Sequence, residues 1–108
     1  LSSPLFKKVH DTFHHFLSGE RIDFPSLTGL VHISGVENTH IEISKLKDDH
    51  RELIDKNDIL DNVAQIKSLM SNGYKGSISF EPFSKKIQNS TNICKEILES
   101  IDYIKLQC

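Results

Sequence analysis

The chain has 108 residues, enough for one small domain, and with 37% hydrophobic and 26% charged residues its composition is ordinary for a globular protein. Its net charge is -2 with histidines neutral, which gives no electrostatic basis for a nucleic-acid partner. No stretch approaches ~18 consecutive apolar residues, so no membrane-spanning helix is expected, and Cys94 and Cys108 form neither a disulfide framework nor a paired zinc site.

In chain order, Phe6 to Asp11 reads as a first strand, containing Phe6 and Val9. The stretch 16–28 has weak periodicity and predicts at most a short helix. Leu30 to Ser34, Leu-Val-His-Ile-Ser, is the second strand. Glu37 to Lys56 follows as a polar loop holding Asn38, His40, Asp48, Asp49, His50 and Arg51. A loop of that length inside a compact unit is usually functional or mobile. Ile59, Val63, Ile66, Leu69 and Met70 then recur every three or four residues, which predicts a helix. Asn57 or Asp58 can cap its start, and Asn72-Gly73 suits its end. Gly76 to Glu81 is the third strand. Ile93, Ile97, Leu98, Ile101 and Ile104 mark a last helix, with Lys95, Glu96, Glu99 and Asp102 between them. Strands alternating with helices predict a parallel sheet.

In such a unit, ligands gather at the C-terminal ends of the strands. The first strand ends in Asp11, with His14 three residues on; the second carries His32; the third ends in Glu81, followed by Pro82-Phe83. Each residue also has a plain structural reading. Asp11 can be a helix cap, His32 a core histidine, and Glu81 a strand terminus before proline. The same kind of residue at equivalent places in three successive units favours a shared site. Two carboxylates and one imidazole suit a divalent ion, Mn²⁺ or Mg²⁺ for preference, with Co²⁺ or Zn²⁺ also compatible.

Asp11-Thr12-Phe13-His14, Val31-His32-Ile33, and Gly73-Tyr74-Lys75-Gly76 leading into Ser79-Phe80-Glu81-Pro82-Phe83 resemble the last three strands of the xylose-isomerase-like TIM-barrel superfamily. The ketose 3-epimerases and 2-keto-myo-inositol isomerases are the members most similar in these strings. The resemblance covers nearly the whole chain in the right order. It implies an α/β fold that is the C-terminal part, about strands six to eight, of a (β/α)₈ barrel, with residues 1–108 a C-terminal fragment of one barrel domain.

The resemblance further implies that Asp11, His32 and Glu81 are metal ligands and that Glu81 is also the catalytic acid–base group. His14 and Arg51 would bind substrate oxygens, Arg51 from a loop able to close over the site; His50 and Lys47 are alternatives to Arg51. The family's fourth ligand, a glutamate on strand five, falls upstream of Leu1. The implied activity is a metal-dependent isomerase or epimerase acting on a sugar or keto-polyol through an enediolate; the cysteine usage sets a reduced, cytoplasmic compartment as the expectation. An endonuclease-IV-like phosphodiesterase would need a more histidine-rich metal cluster and a surface that attracts DNA, and the charge argues against it. A non-catalytic barrel fragment or assembly module is the other alternative.

Three strands leave two open edges and one face without helices. The missing N-terminal strands, a second chain or a homo-oligomer are therefore the expected partners, beside a small-molecule sugar or polyol. The strand residues Val31, Ile33, Ile78 and Phe80 would be exposed alternately wherever cover is lacking.

Overall fold

The computed structural model describes residues 7–37 and 40–108. Three strands run parallel in the order β1 (Lys8–Asp11), β2 (Thr28–Ile33), β3 (Ile78–Phe80). Helix α1 (Thr12–Leu17) follows β1 directly, α2 (Asn62–Ser71) precedes β3, and α3 (Lys85–Gln88) and α4 (Ile93–Gln107) follow it. Each expected strand is present; β1 and β3 are shorter than their sequence patterns, whereas β2 starts two residues earlier and ends one residue sooner, and of the expected residues Phe6 and Asn38 lie outside the described ones. Among the described residues no helix is long and apolar enough to cross a membrane.

The register sorts the strand residues onto two faces. Asp11 lies beside His32, and His32 beside Ser79; Val31 lies beside Ile78, and Ile33 beside Phe80. Successive strand side chains alternate between faces. One face therefore carries His10, Val31, Ile33, Ile78 and Phe80, and the other carries Asp11, His32, Ser79 and Glu81, two residues beyond Ser79.

The first face is the one the helices cover. Val31 and Ile33 pack with Ile66 and Leu69 of α2 and with Ile54 and Tyr74; Phe80 and the α4 residues Tyr103 and Ile104 join the edge of this cluster. The expected exposure of Val31 and Ile33 is therefore not what the fold shows. Both are buried, because α2 and α4 lie on the same side of the sheet, whereas Ile78 stays partly exposed at 38%. The opposite face has no such cover among the described residues, and Val9 is 51% exposed there.

Helix α2 begins as its cap chemistry dictates. Asp61, with φ 57°, precedes Asn62, and the Asp58 carboxylate accepts from the backbone N–H groups of Val36, Leu60 and Asn62. Asp58 thus satisfies one orphan helix donor, the Asn62 N–H, from just outside the helix, and ties the approach to it to Val36. The helix ends at Asn72-Gly73, where Gly73 takes φ 101°. A residue with a Cβ is disfavoured there.

The described stretch 40–56 of the polar segment is more ordered than a lid. It contains two short 3₁₀ turns, Ile43–Lys45 and Asp48–His50, and Gly35 pairs with Glu52 in an antiparallel bridge. Leu46 joins Phe13, Val36 and Leu60 in a second buried cluster, so this segment is fastened to α1 and the end of β2.

Candidate metal centre

Asp11, His32 and Glu81 converge at the C-terminal end of the sheet. Each offers one donor atom, and these three atoms all lie within 4.8 Å of one another. Ligand atoms about 2.0–2.4 Å from a shared ion can be no more than about 4.8 Å apart, so the separation fits a single divalent ion.

Asp11 fills the capping role its position suggested and makes an ion pair the sequence did not signal. Its Oδ1 accepts from the backbone N–H of His14 at 3.1 Å, capping α1, and its Oδ2 accepts from Arg51 Nη2 at 2.7 Å. Each carboxylate oxygen has a second lone pair, so both bonds leave room for a cation. His32 Nδ1 is in ion-pair contact with Glu81 Oε2. That orientation makes no hydrogen bond, and Glu81 Oε2 is buried without a hydrogen-bond partner among the described residues. A buried carboxylate oxygen is costly unless something satisfies it. A cation shared with His32 and Asp11 would do so, and the mixed oxygen and nitrogen donor set suits such an ion.

A cavity of about 630 Å³ opens over these residues, bordered also by His14, Asp48, Arg51 and Phe83. His14 is exposed on its rim, on the first turn of α1. Arg51 does not extend over the cavity as a lid arm would. Its side chain is 3% exposed and pairs with Asp11 and, at 3.2 Å, with Asp48. Arg51 Nε donates to Ser34 Oγ at 2.8 Å. The guanidinium lies 4.8 Å from the Phe13 ring centroid and 5.2 Å from that of Phe83.

His10, His15 and His50 lie outside the converging donor set. His10 Nε2 meets Gln65 Oε1 at 2.8 Å on the helix-covered face. His15 packs against the His10 ring with centroids 4.4 Å apart, and burial, then the neighbouring His10, lowers its pKa below the usual imidazole value. His50 Nδ1 accepts from the Lys47 backbone N–H, capping a turn. Ser34, Asp48 and Thr12 were not signalled as site residues by sequence. Only Ser34 had a usable cue, being two residues past His32 and hence at the same strand end.

A second cavity, about 740 Å³, lies beside Glu37, Glu52 and Lys86. Two of its carboxylates share one lysine: Lys86 Nζ is 3.5 Å from Glu37 and 3.8 Å from Glu52. Burial raises the Glu52 carboxyl above its ordinary value against the opposing pull of Lys86, and the two glutamates in turn raise the lysine. The sheet-end cavity, where two carboxylates and an imidazole converge, is the better candidate for chemistry.

No protein-family model and no curated protein matches the chain. Two solved structures are similar to it. One is a xylose isomerase domain-containing protein of Salmonella typhimurium LT2, with 38% identity, a TM-score of 0.80, and coverage of 97% of this chain and 40% of that one. The other is the IolI protein, described with a binding zinc atom, with 22% identity, a TM-score of 0.68, and coverage of 94% of this chain and 35% of that one. The chain thus spans well under half the length of either structure.

Proposed function

The chain belongs to the xylose-isomerase-like TIM-barrel superfamily, as a partial barrel, and from that premise we propose that the protein containing it is a metal-dependent isomerase or epimerase of a sugar or keto-polyol. The observation that carries this reading is the convergence of Asp11, His32 and Glu81 at the strand ends, with the buried Glu81 Oε2 lacking a hydrogen-bond partner among the described residues.

In this reading Asp11, His32 and Glu81 hold one divalent ion, Mn²⁺ or Mg²⁺ by donor type, with zinc also to be tested because IolI is described with it. Such an ion, when bound, stabilises negative charge developing on substrate oxygens. Glu81 removes the proton from the carbon beside the carbonyl and returns it, acting as base and then acid. His14, exposed at the rim, donates a hydrogen bond to a substrate oxygen and fixes which carbon faces Glu81. Residues 1–108 form the C-terminal fragment of the barrel, and strands from elsewhere in the protein supply the other wall and the further glutamate.

The test is proton exchange. Full-length protein incubated with ketoses and keto-polyols in D₂O is expected to place deuterium at the carbon next to the carbonyl. EDTA should stop the exchange, and Mn²⁺, Mg²⁺, Co²⁺ or Zn²⁺ should restore it. Exchange indifferent to chelation, or absent across the substrate panel with every ion, counts against the reading.

A further inference from the structure

Arg51 touches all three strand ends that carry the converging donors. Its Nη2 holds Asp11 Oδ2 at 2.7 Å, at the end of β1. Its Nε holds Ser34 Oγ at 2.8 Å, two residues beyond His32 at the end of β2. Its backbone carbonyl accepts from the N–H groups of Phe83 at 3.0 Å and Ser84 at 2.9 Å, immediately after Glu81-Pro82. We propose that Arg51 is the positioning residue of this donor set, acting from behind the ligands and not as a hand on the substrate.

Burial supports the assignment. The residue as a whole is 2% exposed, and each guanidinium nitrogen already has an acceptor: Ser34 for Nε, Asp48 for Nη1 and Asp11 for Nη2. The neighbouring Phe13 and Phe83 rings restrict the group further. Ser34 is itself fixed. It is 0% exposed, its N–H faces Thr12 Oγ1 at 3.4 Å, and its carbonyl accepts from Asn62 Nδ2 at 2.8 Å. The chain Asn62–Ser34–Arg51–Asp11 therefore runs from the start of α2 to a ligand carboxylate. Groups that hold a ligand's orientation in this way tune the affinity of a metal site. Lysine keeps the charge but offers a single ammonium, which cannot span Asp11, Ser34 and Asp48 in one plane.

The inference rests on the proposed metal reading, and Co²⁺ binding separates the two. In full-length protein, Arg51→Lys is expected to weaken Co²⁺ binding about 10- to 100-fold and to change the visible absorption of the bound ion. At saturating Co²⁺ the substrate KM should change far less. A substrate clasp predicts the reverse, an unchanged Co²⁺ affinity and a raised KM, and that result overturns the inference. If circular dichroism shows Arg51→Lys unfolded, Ser34→Ala takes its place; it too should weaken Co²⁺ binding and shift the spectrum, and a parental affinity and spectrum overturn the inference. Glu81→Gln serves as the ligand-loss reference. A parent protein that binds no Co²⁺, or binds it as well after Glu81→Gln, removes the metal reading and this inference with it. Loss on Glu81→Gln but none on Arg51→Lys removes the inference alone.

Discussion

Glu81→Gln in the full-length protein is expected to lower turnover by about 10²- to 10⁴-fold, the usual contribution of a positioned acid–base group. Glutamine keeps the shape and one carbonyl oxygen for a cation but cannot accept the substrate proton. The variant should therefore bind metal more weakly yet remain loadable, and its defect should persist at saturating ion. Substrate affinity at saturating ion should fall much less than turnover, since an interaction used mainly in the transition state is lost. Measuring deuterium exchange and substrate binding on the same metal-loaded sample checks this. Exchange within about tenfold of the parent's under those conditions would assign the proton to another residue.

Asp11→Ala is expected to destabilise the fold by about 4 kcal/mol in addition to removing a proposed ligand. The helix cap on His14 N–H contributes about 1 kcal/mol. Removing one member of a buried ion pair costs about 3–5 kcal/mol, because the other charge is left unpaired. Here Asp48 remains near Arg51 Nη1, which keeps the loss at the lower end. Chemical denaturation of the two proteins gives the difference directly. Asp11→Asn, whose single amide oxygen keeps an acceptor for one of the two donors, should lose less. A loss under about 1 kcal/mol for Asp11→Ala would mean that Asp48 and Ser34 suffice for Arg51.

The three strands and two long helices were legible in the sequence because period alone marks them. Ile66 and Leu69 recur as a helix facing a sheet must have them, and both are buried. The helices α1 and α3, six and four residues long, are too short to show a period. Segment 37–56 looked like open loop because its apolar anchors are widely spaced: Leu46 and Ile54 are eight positions apart, with charged residues between them, yet both are buried.

Arg51 was the hardest residue to place. Arginine is almost never fully buried unless paired, and the pairing that buries it reaches Asp11, 40 positions earlier in the chain. Nothing local announces such a contact. The donor set itself was readable, since the strand ends are adjacent in a parallel sheet whatever the loops between them do, and the structure brings Asp11, His32 and Glu81 together.

The two-faced register of β2 also governs which insertions and deletions the protein can tolerate. Val31 and Ile33 point into the helix layer and His32 points away from it, so core and donor set are interleaved residue by residue. A single residue added within β2 ahead of Val31 would turn His32 into the apolar layer and bring its neighbours to the ligand side in the same stroke. Damage to folding and to the site would then be inseparable, and no change in the loops could repair one without the other. Length variation in this part of the chain is thus confined to segments outside the strand. The stretch 37–56, fastened at Leu46, Arg51 and Glu52 but irregular between them, is where added residues would leave both faces of the sheet in phase.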